Sequence, residues 1–424
     1  MELCIVIPTH NRSQMLLRTL GALVRQTVAP DVYQVIVVAD GCRDDTAAVV
    51  RGLHVPYSLT LIEQPAEGAA AARNRGVAAA RAPLILFLDD DMEAAPGLVA
   101  AHLAAHAAHP GGVVLGYFPV PADAHGTDVF ETYSNLWWKE HFAAQARPGY
   151  RFTFWDFCTG NVSLPRAVLE AAGGFDAGFR GAGGEDYDLG VRLMRQRVRF
   201  HYVPEAASIH HDKPTQERSF QRAMRNGRSQ ALMVSKCPEL FSVFQLGQPV
   251  AGPILRLLYG LLWRCPPLAA SLSRAIRLPL AIARALKACG LWVRMYGCVH
   301  GYFYWCGVRA ELGTLATLQR LAQDAPLEPT PCHEIEMDIA SDLPRLDAIL
   351  DEAQVDAVRL RYRSMPVGRI APSIGAEPLR PIHVREALIY QFGSTLSGVL
   401  ALKQLIQFQT SNMQVMRPEH VREP

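Results

Sequence analysis

Long apolar runs are missing from this sequence of 424 residues, and no stretch approaches the roughly 20 uninterrupted apolar residues of a membrane span. No basic and then apolar leader precedes the first predicted strand, so a secretory signal is not expected. The nine cysteines are scattered, without the close spacing of a zinc or redox motif, which favours the reducing cytosol. The net charge of +2 is too close to neutral to indicate a nucleic-acid partner.

Short apolar runs alternate with helical patterns over the first part of the chain, to about residue 118. This alternation is typical of a parallel sheet with helices on both of its faces. Ligands of such sheets bind beyond the carboxyl ends of the strands, near the point where the strand order reverses. Half of the residues are hydrophobic, and the length suggests two or three domains.

The strongest single signal is the run 86–91, in which Leu-Phe-Leu is followed by three aspartates. Aspartate is depleted from strands, and three adjacent carboxylates repel one another. A divalent cation with oxygen ligands would compensate this charge. The run therefore predicts a metal site at the end of a strand, with a solvated turn as the alternative.

Polar motifs also follow other predicted strands, at 8–12 (Pro-Thr-His-Asn-Arg) and at 40–42 (Asp-Gly-Cys). Further along, the segment 181–188 places glycines before the carboxylate pair Glu185 and Asp186 at the start of a helical pattern. Glycines allow a ligand to approach closely, and the helix dipole favours carboxylates at this end. Capping of the helix by either carboxylate is a compatible alternative.

Histidines occur in two further patterns. The pair His210 and His211 follows a strand-like run, and one of the two rings is a candidate third metal ligand, with a structural histidine as the alternative. His102, His106 and His109 share a helical face. Because this helix is rich in alanine and offers no carboxylate partner, we expect a solvated face there and not a zinc site.

Taken in order, the motifs at 8–12, 40–41, 72–76, 89–91 and 184–186 resemble those of the family 2 glycosyltransferases. The resemblance covers about residues 1–235 and implies the GT-A fold, an α/β fold with a Rossmann-like mixed sheet flanked by helices. It divides that part of the chain into a nucleotide-binding half at 1–118 and a half for acceptor and metal at 119–235.

The resemblance implies a nucleotide-diphosphate sugar as donor and Mg²⁺ or Mn²⁺ as cofactor. The nucleoside would lie against Pro8, Thr9 and Asp40, and Arg73 would lie near the diphosphate. A metal held by carboxylates stabilises the negative charge of the departing diphosphate. The predicted donor-binding residues are Pro8, Thr9, Asn11, Arg12, Asp40, Arg73, Asp89 and Asp90, and the predicted metal ligands are Asp89, Asp91 and His210.

By the same resemblance, Asp186 is the general base that takes the proton of the acceptor hydroxyl, and Glu185 orients the acceptor. A single base in a direct displacement implies inversion at the sugar. The acceptor is a sugar, a lipid-linked molecule or a small molecule, in the biosynthesis of a bacterial cell envelope or polysaccharide. A catalytically degenerate sugar-nucleotide-binding protein and a nucleotidyltransferase are the alternatives, and the absence of a glycine-rich phosphate loop after Ile7 counts against the latter.

A helical region is predicted at 236–323. Within 248–310, arginines recur every few residues beside Trp263, Trp292 and Trp305, a pattern that suits helices in a membrane interface. Packing against the main domain or another subunit explains the same pattern. The hypothesis is therefore a cytoplasmic protein with a peripheral contact to the inner membrane face through 248–310.

A small α+β accessory module, rich in β structure, is predicted at 333–424 after a linker rich in proline and glutamate. The strict alternation at 358–363 predicts a half-buried strand. Pro366 and Gly368 predict a turn nearby, and a helical pattern runs from about 384 to 409. This module shows no catalytic constellation.

Overall fold

The structure is a computed structural model that describes residues 1–120, 129–179, 183–211, 215–326 and 333–401. Its contacts divide the chain into two compact units. Unit 1 contains 1–147, 152–327 and 374–376, and unit 2 contains 148–151, 328–373 and 377–424. The helices predicted at 236–323 belong to the same unit as the sheet, while the domain boundaries inferred from the sequence stay a prediction.

Unit 1 is built on a mixed sheet of eight strands in the order β3-β2-β1-β4-β7-β6-β8-β5. The strands are β1 (Leu3–Thr9), β2 (Tyr33–Asp40), β3 (Ser58–Gln64), β4 (Leu84–Leu88), β5 (Met92–Ala94), β6 (Val113–Tyr117), β7 (Asn161–Pro165) and β8 (Phe200–His210).

The parallel arrangement expected from the alternating patterns is present in β1 to β4, where β1 pairs with both β2 and β4. Beyond β4 the direction changes, since β7 runs antiparallel to both β4 and β6. The mixed α/β fold predicted from the sequence is confirmed. The strand order reverses between β1 and β4, so the polar segments that follow these two strands meet at the switch point.

Twelve α-helices accompany this sheet within the described part of unit 1. They are α1 (Ser13–Leu23), α2 (Thr46–Gly52), α3 (Ala69–Ala79), α4 (Leu98–Ala108), α5 (Val129–Gln145), α6 (Arg166–Ala171), α7 (Glu185–Arg195), α8 (Gln216–Lys236), α9 (Pro253–Arg264), α10 (Pro266–Ala285), α11 (Cys289–Leu312) and α12 (Leu315–Asp324).

Strand β1 shows why the sheet forms the core of unit 1. Leu3, Ile5 and Ile7 are fully buried and pack in one cluster with Leu16 and Leu20 of α1. β-Branched and aliphatic residues on both faces suit a strand that helices cover on each side. The apolar runs that the sequence displays are therefore buried strands, and only their carboxyl ends remain polar.

The expectation of a solvated face is wrong for His102 and His106 of α4, whereas His109, which follows the helix, is exposed. His102 is fully buried and bonds through Nε2 to Asn161 Oδ1 at 2.9 Å and through Nδ1 to Ser163 Oγ at 2.8 Å. His106 is also buried and lies 2.7 Å from Ser163 Oγ. Both partners come from β7, about 60 residues away in sequence, so the helical pattern alone did not reveal them.

Two of the three tryptophans considered for a membrane interface are core residues. Trp292 is fully buried and stacks on Tyr296 at 4.9 Å between ring centroids, and Trp305 is also buried. No helix in the described residues is long and apolar enough to cross a membrane.

Unit 2 contains a sheet of three strands in the order β11-β10-β9 with short helices around it. Its elements are β9 (Glu334–Asp338), α13 (Ile339–Asp342), α14 (Leu346–Ala353), β10 (Ala357–Tyr362), β11 (Met365–Ile370), α15 (Pro381–Glu386) and a π-helical turn, Ala387–Gln391.

The strand predicted at 358–363 corresponds to β10, and a turn lies near it as expected, but Pro366 and Gly368 do not form that turn. Both residues lie in β11, and the hairpin turns at 363–364, where Arg363 has a φ of 58°. Proline is tolerated on this edge strand, and a side chain at Gly368 would overlap the ring of Phe392. The helical pattern predicted to residue 409 is present in segments up to 401, and the rest lies outside the described residues.

Candidate active site

An open cleft of about 440 Å³ lies at the carboxyl ends of β1, β2 and β4. It is the place where a sheet of this topology binds its ligand. Most of the residues predicted for the donor and the metal meet in it. Its lining consists of Pro8, Thr9, His10, Arg12, Asp40, Ala66, Gly68, Ala69, Arg73, Asp89, Asp90, Asp91 and Glu185.

The three aspartates after β4 each have a cationic partner within the protein. Asp89 accepts a hydrogen bond from Arg73 at 3.0 Å. Arg12 donates to Asp90 at 3.0 Å and to Asp91 at 2.8 Å. Two arginines distant in sequence therefore compensate part of the charge for which the sequence predicts a metal.

The environments of Asp90 and Asp91 differ. Asp90 is buried and accepts a hydrogen bond from Thr9 Oγ1 at 2.7 Å, and its burial raises its pKa to about 6 against the opposing effect of Arg12. Burial also opposes ionisation of Asp91, but the nearby His210 and Arg12 outweigh it and lower the pKa of Asp91. As the pH falls, Asp90 is therefore protonated before Asp91, which stays ionised.

Asp91 is the aspartate that best fits a cation. Its Oδ1 is buried without a hydrogen-bond partner, and Nε2 of His210 lies 3.4 Å from that oxygen. His211 faces Glu93 instead, at 2.8 Å. No preformed group of three metal-ligating side chains occurs within the described residues. An ion such as Mg²⁺ needs only one or two protein carboxylates when phosphate oxygens complete its coordination shell. The carboxylates of Asp89 and Asp91 therefore fit a divalent ion of this kind.

Arg73 links the aspartates to the start of α7. Its guanidinium, almost fully buried, donates to Asp89 and also to Oε1 of Glu185 at 2.9 Å. Oε2 of Glu185 accepts the backbone N–H of Gly183 at 2.8 Å. Gly184 has a φ of 98°, and a side chain there would overlap Ser229 of α8. The glycines before α7 thus allow a turn that brings Glu185 against Arg73.

Asp186 begins α7 beside Glu185 but is not part of the cleft lining. Burial and the charge of Glu185 raise the pKa of Asp186 to about 7, while Arg73 acts in the opposite direction. A carboxylate with a pKa near neutrality can accept a proton at physiological pH and is suited to general base catalysis.

The other predicted donor residues occupy different positions. Asp40 accepts hydrogen bonds from the side chain of Gln64 and from the backbone N–H groups of Glu67 and Gly68, at 2.8–2.9 Å. These bonds hold the segment 64–68 in place, so Asp40 both lines the cleft and fixes the backbone of its wall. Asn11 has a φ of 53° and accepts the N–H of Arg43, and it is not among the residues that line the cleft.

Sequence reasoning missed several residues of the site. His10 lines the cleft, with Nδ1 2.5 Å from the carbonyl oxygen of Asp40. Gly68 and Ala69 bring the start of α3 to the cleft, and a helix of this length offers backbone N–H groups to an anion there. In the sequence, the alanine-rich run after Gly68 was the signal that a helix begins at this point.

Comparison with known proteins supports the resemblance seen in the motifs. Residues 4–172 match the family model described as glycosyl transferase family 2, and residues 140–216 match one described as the N-terminal domain of galactosyltransferase. The first match contains the aspartates and the rest of the cleft lining except Glu185, and the second contains Glu185 and Asp186.

Among curated proteins, the chain is 39% identical over 214 residues to a validoxylamine A glucosyltransferase of Streptomyces hygroscopicus subsp. limoneus, covering 45% of this chain and 47% of that protein. It is 28% identical over 271 residues to a chondroitin synthase of Escherichia coli, covering 56% and 39%. The chain thus spans about half the length, or less, of these relatives.

Among solved structures, a mannosyltransferase of Pyrobaculum calidifontis in complex with GDP-Man and Mn²⁺ matches with 19% identity and a TM-score of 0.43. The match covers 76% of this chain and 87% of that one.

Proposed function

We propose that this chain, whose residues 4–172 match the model of glycosyl transferase family 2, transfers a sugar from a nucleotide-diphosphate sugar to an acceptor hydroxyl with inversion. One observation carries the proposal. Arg73 joins Asp89 at the cleft to Glu185 at the start of α7, so that the donor carboxylates and the candidate base Asp186 belong to one connected site.

In this proposal the donor occupies the cleft at the switch point of the sheet. Pro8, Thr9 and Asp40 form the wall against the nucleoside. The diphosphate lies toward Arg73, Arg12 and the start of α3, where guanidinium groups and backbone N–H groups supply positive potential. Asp90 accepts hydrogen bonds from Thr9 and Arg12 and so keeps this wall in place. Asn11 lies outside the cleft lining and contributes by accepting the N–H of Arg43.

Asp89 and Asp91 would hold Mg²⁺ or Mn²⁺, with His210 as the third protein ligand. The ion supplies charge stabilisation to the departing nucleoside diphosphate. The buried Oδ1 of Asp91, which faces His210, supports this assignment. Arg12 neutralises Asp91 when no cation is bound, because it already donates to the other oxygen of that carboxylate.

Asp186 is the proposed general base. Its carboxylate takes the proton of the acceptor hydroxyl while that oxygen bonds to the anomeric carbon and the bond from carbon to phosphate oxygen breaks. Attack occurs on the face opposite the leaving group, so a single displacement inverts the configuration. Glu185 lines the cleft, holds Arg73 and the turn at Gly183, and orients the acceptor from there.

The acceptor class is a sugar, a lipid-linked molecule or a small molecule. The relative named as a validoxylamine A glucosyltransferase makes glucose the first donor sugar to test. The relative named as a chondroitin synthase supports a role in cell-envelope or polysaccharide biosynthesis. The proposal includes a cytoplasmic location with a peripheral contact to the inner membrane face through 248–310.

Nucleotide release tests the function. The purified chain is incubated with a panel of nucleotide-linked sugars and candidate acceptors, with Mn²⁺ or Mg²⁺ and then with excess chelator. We expect release of nucleoside diphosphate, dependent on metal, from one donor. Asp91→Ala should abolish this release while Asp31→Ala, an exposed aspartate outside the cleft, leaves it unchanged.

Three other results would contradict the proposal. Full release in the presence of chelator removes the metal assignment. Release of pyrophosphate from a nucleoside triphosphate identifies a nucleotidyltransferase. Tight donor binding without release, for every donor and acceptor offered, identifies a binding protein that has lost catalysis.

A further inference from the structure

Charge is segregated strongly along this chain. Residues 240–310 contain no aspartate or glutamate, and their eight basic side chains are Arg256, Arg264, Arg274, Arg277, Arg284, Lys287, Arg294 and Arg309. Since the net charge of the whole chain is only +2, the remainder of the chain is net acidic. Helices α9, α10 and α11 therefore carry a basic character that the overall composition hides.

Exposed apolar side chains concentrate in the same helices, at the corner where α10 meets α11. We call residues 278–294 the α10–α11 corner. Five of its six large aliphatic residues project into solvent, with exposed fractions of 67% for Leu278, 50% for Ile282, 74% for Leu286, 56% for Leu291 and 43% for Val293.

The large apolar residues that are exposed on α10, together with Leu286 directly after it, form one stripe. Successive residues of an α-helix are rotated by about 100°, so Leu268, Leu278, Ile282 and Leu286 fall within an arc of about 80°. The buried residues Leu280 and Ala283 lie on a different side and pack in one cluster with Trp292 and Val299 of α11. The stripe is therefore not the core-facing side of an amphipathic helix, because a separate side of α10 already serves the core.

Basic groups border this apolar stripe. Lys287 and Arg294 are exposed within the corner, and Arg274 is exposed on α10. Basic side chains beside exposed aliphatic ones match a bilayer with anionic lipid, since the apolar side chains enter the acyl boundary and the cations stay at the headgroups. A nucleic acid would use the cations but not the aliphatic stripe, and an apolar protein partner would not use the cations.

We infer that the α10–α11 corner docks this protein on the surface of an anionic membrane, with Leu278, Ile282, Leu286, Leu291 and Val293 inserted and Lys287 and Arg294 at the lipid headgroups. The inference deepens the membrane contact of the proposed function by naming the surface and the lipid charge. It does not depend on transfer activity.

Vesicle flotation of the full chain without donor or metal tests the inference. We expect flotation with vesicles of phosphatidylcholine and phosphatidylglycerol, and little with phosphatidylcholine alone. Ile282→Asn combined with Leu286→Asn should lower the partition coefficient by about tenfold or more, and so should Lys287→Gln combined with Arg294→Gln.

Matched controls separate location from composition. Ile389→Asn removes an equally exposed aliphatic residue of unit 2, and Arg81→Gln with Arg320→Gln removes two exposed charges elsewhere in unit 1. These controls should float like the parent protein. Asp186→Asn should float normally too, so that loss of transfer and loss of docking are distinguishable.

Several results would overturn the inference. One is no flotation with anionic vesicles, and another is equal loss of flotation in the corner variants and the controls. If the aliphatic variant does not fold, as judged by tryptophan fluorescence, the charge pair decides alone, because both of its side chains are exposed. A parent protein that is dimeric in solution, does not float, and becomes monomeric in the corner variants would identify an interface between copies instead.

Discussion

Replacing Arg73 by Met should lower the free energy of unfolding of unit 1 by about 3–5 kcal/mol. The side chains of Arg73 and Glu185 are 5% and 4% exposed, so removal of the guanidinium leaves a buried carboxylate without its partner. The contact with Asp89 adds less than about 1 kcal/mol, because that carboxylate is 36% exposed and screened by water. The Glu185 contact therefore dominates the loss.

The loss should also depend on pH. Buried carboxylates left without Arg73 are relieved by protonation, so the difference between variant and parent should narrow as the pH falls from about 8 to about 5. Arg73 also lowers the pKa of Asp186, which therefore rises further in the variant. Any residual transfer should then require a more alkaline pH than in the parent.

Urea unfolding followed by tryptophan fluorescence measures this loss in unit 1 alone. All six tryptophans, at positions 137, 138, 155, 263, 292 and 305, belong to unit 1. Arg51→Met is the control, since Arg51 and Glu63 form an ion pair in which both side chains are more than half exposed. It should cost less than about 1 kcal/mol. The reasoning fails if Arg73→Met costs no more than Arg51→Met, or if its cost is the same at both pH values.

The remaining predictions concern titration and packing. The transfer rate should rise with pH through about 7, because Asp186 must lose its proton to act as base, and a rate that is flat between about pH 5.5 and 8.5 would exclude that role. Burial lowers the pKa of His102 and His106 to about 4, below the value in the unfolded chain. The free energy of unfolding should therefore fall as the pH drops from about 6.5 toward 4. In the His106→Asn variant, acid titration should show a smaller fall of this free energy over the same pH range. Gly227→Ala should destabilise unit 1 by about 1–3 kcal/mol because the new methyl group would overlap the carbonyl oxygen of Tyr304, whereas Gly260→Ala, with no atom within 4 Å, should be neutral or stabilising in the same urea assay.

Local sequence patterns predicted the scaffold well because they reflect local physics. The buried strands β1, β2 and β4 are apolar runs, and their polar ends mark the cleft in which Thr9, Asp40 and Asp89 meet. A parallel arrangement fixes which strand ends share an edge, so these residues could be placed together without any long-range information.

Contacts between distant segments could not be read in the same way. The pairing of Arg12 with Asp91 joins residues 79 apart, and that of Arg73 with Glu185 joins residues 112 apart. His102 looked solvated because its partners on β7 are chosen by packing and not by sequence spacing. The sequence likewise suggested that Trp292 lies in a membrane interface, whereas this residue of α11 is fully buried in a hydrophobic core cluster.

The residues that form the turn between β10 and β11 could not be identified from the sequence for a different reason. Glycine and proline normally mark turns, but Arg363 adopts the left-handed conformation here and carries no such signal. Gly368 serves the close approach of Phe392 within the strand instead. A glycine thus reports a steric requirement, and the sequence alone does not say which one.

The central claim is that Asp186 acts as the base for transfer from a donor held in the cleft by other residues. The most direct test compares donor affinity, measured by calorimetry with metal present, and the transfer rate in the parent and in Asp186→Asn. The substitution keeps the size of the side chain but removes the proton acceptor. We predict nearly unchanged donor affinity and a rate lower by a factor on the order of 10² or more. Transfer near the parental rate in Asp186→Asn would contradict the account.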